Sequence, residues 1–251
     1  MDKLIYTAFN TLNNIYDNRS VRAQNMANIN VPGYRRDLGT KSVGSAFMSA
    51  ENTFQSRALA IRDDTNIFES DPGTLSQTGS DLDIAIRGDG YFMVKGPGAP
   101  SLTRRGDLNV NNDGFLINGS SHVFLDKNQQ PIQIGAYRSI KIADNGDIFV
   151  EPLGSEPGTK ELVATLGLTS GAGERLKKFF DGEIRAENGE LPLADQIPTL
   201  VQKHVELSNV NITEELVNTI EDQRAYEVNI KLISSATEAD EAGASLMRMP
   251  G

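Results

Sequence analysis

The chain has no cysteine. Disulfides and thiolate metal sites are therefore excluded, whatever compartment the protein occupies. Tryptophan is also absent, aromatic residues make up only 6% of the chain, and there are two histidines. The apolar share, 38%, is low for a compact domain. That deficit predicts that part of the chain lacks a full core of its own. No apolar run is long enough to span a bilayer, so direct membrane insertion is not expected. The opening MDKLIYTAFNTLNN is interrupted by Asn10 before an h-region can form, so it does not read as a signal peptide.

Cationic charge is scarce relative to anionic charge. With 24 Lys and Arg against 34 Asp and Glu, the net charge is −10. Such a surface repels phosphate backbones and argues against nucleic-acid binding.

The two ends of the chain are alike. From Asp2 to about Asn28 there is no Pro or Gly, and Leu4, Ala8, Leu12, Ile15 and Met26 recur at helical spacing. Pro32 and Gly33 stop this helix. At the other end Asn211 is placed to cap a second helix, with Glu214 at the capping-box position. Leu216, Ile220, Tyr226, Ile230 and Ile233 then form a stripe interrupted by Gln223, with no Gly until Gly243. Both helices carry one apolar stripe among Asn, Thr and Ser. They bury it against each other, against neighbouring copies, or both.

The middle has a different period. Residues 34–80 read as an extended connection with few regular elements. From Leu82 onward LDIAI alternates, YFMV is a short apolar strand, and NVNNDGFLI and SIKIADNGDIFV read as hairpins around Asn/Asp-Gly turns. Residues 162–168 add an apolar run and FFDGEIRAENGE another hairpin-like segment. The expected fold is α+β, mainly β: a central antiparallel region built as a small barrel or sandwich, with long terminal helices that pair as a coiled coil. The boundaries implied are a helix over 1–33, a linker over 34–80, a β-rich domain over 81–205 and a helix over 206–251.

No catalytic, cofactor or metal set emerges. His122 and His204 are far apart and lack ligand spacing. Gly88 and Gly90 enter a strand instead of a helix, which argues for a hairpin turn over a dinucleotide loop. NVNNDG has Asn where a calcium loop begins with Asp, and Ser120 where its bidentate Glu belongs.

Four stretches carry a resemblance. QNMANINVPGYR, from Gln24 to Arg35, is similar to the NNLAN-x-x-T-x-GF pattern of flagellar rod and hook proteins, with matches at Asn25, Ala27, Asn28 and Gly33. PGTLSQTGSDLDIAIRGDGYF, from Pro72, resembles the same family's G-x-L-x-x-TG-x-x-LDVAI-x-GDGFF block. TRRGDL from Thr103 is similar to its YTR-x-G strand, and VELSNVN from Val205 to its LE-x-SNV entry into the last helix. The set runs in the family's order from end to end, and within the family it looks most like the proximal-rod members, with the distal-rod members second. The segment 176–190 fits the family pattern poorly.

The resemblance implies a non-enzymatic axial subunit whose terminal helices order on assembly into a tube around the export channel. It further implies delivery to the periplasmic rod by the flagellar type III export apparatus, without a cleaved signal. The implied partners are copies of the chain and other proximal and distal rod proteins. The implied subunit-interface residues are Leu4, Ala8, Leu12 and Ile15, then Asn25, Asn28 and Gly33, then Leu216, Ile220, Tyr226, Ile230 and Ile233.

Overall fold

The computed structural model describes residues 2–39, 42–49, 56–62, 67–179 and 182–247. They divide into two compact units. One comprises Met1–Ala27, Asp37–Ile67 and Asn211–Gly251; the other comprises Asn28–Arg36 and Phe68–Val210.

The first unit holds α1 (Asp2–Ala27), the antiparallel pair β1 (Ser42–Ser49) and β2 (Ser56–Arg62), and α2 (Ile212–Met247). The helices contact each other. With 26 and 36 residues they are roughly 40 and 54 Å long at about 1.5 Å per residue. The α2 N-terminus is capped as the sequence predicts. The Asn211 carboxamide oxygen accepts from the amides of Thr213 at 3.0 Å and Glu214 at 3.4 Å, and Glu214 and Glu215 add favourable charge in the first turn. No helix among the described residues is long and apolar enough to cross a membrane. The β1–β2 pair lies inside the stretch read as an extended connection. Its strands SVGSAFMS and SRALAIR carry too many Ser and Ala for a clear two-residue period.

The second unit is built from antiparallel strands. These are β3 (Leu75–Gln77), β4 (Ile84–Arg87), β5 (Tyr91–Lys95), β6 (Pro100–Thr103), β7 (Leu108–Val110), β8 (Leu116–Asn118) and β9 (Val123–Phe124). They continue with β10 (Tyr137–Ile142), β11 (Asp147–Pro152), β12 (Glu161–Thr165), β13 (Leu168–Thr169), β14 (Leu176–Lys178), β15 (Ile184–Ala186), β16 (Thr199–Gln202) and β17 (His204–Glu206). The largest sheet has eight strands in the order β14-β15-β6-β5-β9-β8-β7, with β13 on β5. A separate sheet of three runs β10-β11-β12, and β16 pairs with β4 and β17 with β3.

The hairpins form where local chemistry demands them. The Asn111 side chain accepts from the Asp113 and Phe115 amides at 3.0 and 2.8 Å, and Gly114 takes the positive φ of 83° that closes the β7–β8 turn. Strand β5 shows why YFMV does not alternate. Phe92 and Val94 enter the larger core with Ile84, Leu116, Phe124, Ile148 and Leu166, while Tyr91 and Met93 enter a second core with Phe68, Leu102, Leu125 and Ile184. A strand buried on both faces reads as a continuous apolar run.

Candidate functional site

Two arrangements of polar side chains stand out, one in each unit. In the first unit the helix pair is joined by polar and small side chains. Arg22 Nε donates to Asp222 Oδ2 at 2.6 Å, and Arg22 Nη1 lies 3.7 Å from Glu215 Oε2. Arg19 donates to Gln223 at 3.2 Å. The Asn25 carboxamide is buried. It donates to the Asp37 carbonyl and to Glu215 Oε1, at 2.9 and 3.2 Å, and accepts from the Asp37 amide at 2.9 Å. These directional contacts set the register of the pair more than they stabilise it, because partly exposed ion pairs contribute only about 0.2–1 kcal/mol.

The apolar residues are distributed differently. On α1, Ala8 and Ile15 are buried, Leu12 is half-buried, and the Leu4 side chain falls outside the described residues. On α2, the buried residues are Glu215 and Ala236. Ile233 is half-buried, while Leu216, Ile220, Tyr226 and Ile230 are 51%, 55%, 39% and 43% exposed. Val217, Val228 and Leu232 are exposed too. The stripe legible in the α2 sequence is therefore mostly turned away from the polar contacts with α1.

The second arrangement is a buried ion cluster that sequence reasoning did not identify. Glu206, 1% exposed, accepts from Arg35 Nη1 at 2.8 Å and from Arg104 Nε at 2.7 Å. Arg104 is itself 1% exposed, and its remaining nitrogens donate to the carbonyls of Gly90 and Gly88, both at 2.7 Å. Burial pulls the Arg104 guanidinium below its ordinary pKa, and Glu206 pulls it back. Burial likewise raises the neighbouring Tyr91 hydroxyl, with Arg35 and Arg104 opposing.

Glycines let the backbone close around these charges. The Gly73 amide donates to Glu206 Oε1 at 2.8 Å, and a Cβ there would sit 1.9 Å from the Leu207 carbonyl oxygen. Gly33 donates to the Glu206 carbonyl at 2.7 Å. Its φ is +66° and a Cβ would lie 2.3 Å from the Arg104 carbonyl carbon. Gly33 thus serves the turn. Asn28 opens that turn by accepting from the Val31 amide at 3.1 Å. Gly33→Ala is expected to destabilise the chain by more than ~1 kcal/mol, since both the backbone angle and the space are wrong. A thermal melt matching the unsubstituted protein would contradict this.

Asn209 completes the arrangement. Its side chain accepts from the Arg36 amide at 2.7 Å and donates to the carbonyls of Glu69 and Asp71 at 3.1 and 2.9 Å. The segment that leaves α1 and the one that leads into α2 are thereby tied together within the second unit. The four stretches singled out in the sequence supply the parts: Gly33 and Arg35, Gly73, Arg104, and Glu206 with Asn209. Each is a charge, a glycine or an amide on a loop or strand end. Their order along the chain was legible; their convergence was not.

The two histidines make separate contacts. His122 pairs with Glu183 at 3.1 Å, and His204 sits against the Gln202 carbonyl at 3.0 Å. No group of three metal-ligating side chains occurs among the described residues.

Residues 201–246 match the family Flagellar basal body rod FlgEFG protein C-terminal, and residues 85–150 match Flagellar hook protein FlgE/F/G D1 domain. The chain is 28% identical to the flagellar basal-body rod protein FlgF of Salmonella typhimurium, over 99% of this chain and 100% of that protein. It is 30% identical to FlgG of Buchnera aphidicola subsp. Baizongia pistaciae, over 88% of this chain and 90% of that protein. It is also 30% identical to FlgF of Mesorhizobium japonicum, over 88% of each.

Proposed function

Because the chain belongs to the flagellar basal-body rod protein family FlgF/FlgG, we propose that it is a proximal-rod subunit that polymerises through its terminal helices. The chain is a structural axial protein of the rod, not an enzyme. In the proposed role it reaches the periplasm through the flagellar type III export apparatus and joins copies of itself and other rod proteins.

The observation that carries the reading is the split character of α2. Its contacts with α1 are polar and small, while Leu216, Ile220, Tyr226 and Ile230 face outward. A long helix whose large apolar side chains stay in water gains little on ordering alone. Neighbours that cover those side chains supply the missing stability, and ordering becomes coupled to assembly. Subunits joined head to tail without closing form a tube. The proposed interface residues on α2 are Leu216, Ile220, Tyr226, Ile230 and Ile233; on α1 they are Leu4, Ala8, Leu12 and Ile15. Asn25, Asn28 and Gly33 then hold the turn that presents them.

A distal-rod position is the second reading, supported by the 30% identity to the Buchnera FlgG protein. Electron microscopy of basal bodies from a strain lacking the gene tests both. A rod that stops near its base, with no hook or filament, supports the proximal role. A rod that lacks only its outer part favours the distal one. Normal rods, hooks and swimming would refute both.

A further inference from the structure

The second unit contains a cavity of about 420 Å³, lined by Arg35, Ser70, Asp89, Tyr91, Ser170 and Glu174 among others. That volume is in the range of clefts that hold a ligand. Its walls are already organised. Arg35 is fixed by Glu206 and by the Asp71 carbonyl, at 2.8 and 2.7 Å. Ser170 is held by Asp195 through its amide at 3.0 Å and its hydroxyl at 2.5 Å. The lining still has unused polar capacity, since Arg35 Nε is buried without a hydrogen-bond partner.

The free charge at this site is negative. Arg35 is buried and shares Glu206 with Arg104, so the charge exposed in the cavity is that of the Asp89 and Glu174 carboxylates, which have no ion-pair partner among the described residues. Next to it, on the segment anchored by Asp195, Leu193 and Ile197 are 83% and 69% exposed. An occupant should therefore combine a cation with groups that accept and donate hydrogen bonds.

The chain carries such a group elsewhere. The turn from Asp126 to Gln130 displays Lys127, Asn128, Gln129 and Gln130, all exposed. The Asp126 carboxylate is spent within the turn, accepting from the amides of Asn128 and Gln130 at 2.8 and 2.7 Å. Lys127 has no ion-pair partner among the described residues. The other tips are poorer matches: Asp113 and Asp144 make theirs acidic, the tip at 119–121 is uncharged, the 153–160 turn sets Glu156 near Lys160 and has no carboxamide, and Lys203 is paired with Asp81. A turn held this firmly loses little entropy on docking.

We infer that the 126–130 turn of one copy docks into the Asp89–Glu174 cavity of a second copy. Lys127 meets the two carboxylates, and a carboxamide of the turn meets the polar lining. Turn and cavity are different patches of one chain, so the contact runs head to tail and propagates. This inference rests on the rod-subunit reading and adds a contact outside the helices.

The absence of native cysteine makes the test clean. Gln129→Cys and Ala172→Cys are combined in one chain, and isolated basal bodies are oxidised. A ladder of covalent multimers is expected, with none from either single variant. Rods that contain the protein but give no ladder, or only an intrachain bond, overturn the docking while leaving the rod-subunit reading intact. Absence of the protein from rods overturns both. Charge exchange gives an independent check. Lys127→Glu and Glu174→Lys should each abolish swimming, and the two together should restore it. A double variant as immotile as the singles overturns the pairing.

Discussion

Glu206→Ala is expected to cost the chain ~3–5 kcal/mol of folding stability, the range seen when one partner of a buried ion pair is removed. The loss arises less from the missing contacts than from what remains. Arg35 and Arg104 are 3% and 1% exposed, and without Glu206 two positive charges face each other in a dry site. The Gly73 amide, which now donates to Glu206 Oε1, also loses its acceptor. Arg104 keeps its two carbonyl partners, so the strand end should hold while the segments carrying Gly33 and Gly73 come loose. Urea denaturation followed by circular dichroism measures the effect. A change below about 1 kcal/mol would mean that water reaches the site and solvates the charges. Glu206→Gln should fall between, because one carbonyl oxygen cannot serve both guanidinium groups as well as a carboxylate.

The opposite pattern is expected for α2. Ile220→Asp combined with Ile230→Asp should leave folding stability within about 0.5 kcal/mol of the parent, since exposed positions tolerate substitution. Both side chains are about half exposed. The same substitutions should abolish rod assembly, because covering an unpaired carboxylate costs several kcal/mol per ion, and a contact that repeats along the rod meets that cost at every subunit. Denaturation of the purified chain and microscopy of basal bodies separate the two effects. Assembled rods carrying both aspartates would refute the proposed interface. A large loss of stability in the isolated chain would instead show that these residues belong to its own core.

These two expectations differ because one concerns a site completed within the chain and the other a surface left incomplete. Asn211 caps α2 through its own side chain two and three residues on, and Asn111 closes its hairpin in the same local way. Such features were legible because their hydrogen bonds reach only a few residues. Helical spacing at both ends and two-residue alternation in the middle were legible for the same reason, since period is a property of neighbours.

The sequence by itself therefore determined the helices, the α2 cap and the hairpins beyond Leu82, though not the β1–β2 pair, and placed in order the residues that mark the family. The tertiary structure alone decided what those residues do together. Glu206 meets Arg35 and Arg104 from distant parts of the chain, a convergence with no local trace. It also decided which side of α2 faces α1. The apolar stripe left open whether α1 or a neighbouring copy covers it, because apolar periodicity shows that a face exists without naming what covers it, and towards α1 the structure sets Glu215 and Asp222 against Arg22. The physical reason is one of range. Backbone hydrogen bonding and side-chain spacing act over a turn or two, whereas the burial of charge, the close approach of a glycine and the partner of an apolar face depend on chain segments that only folding brings together.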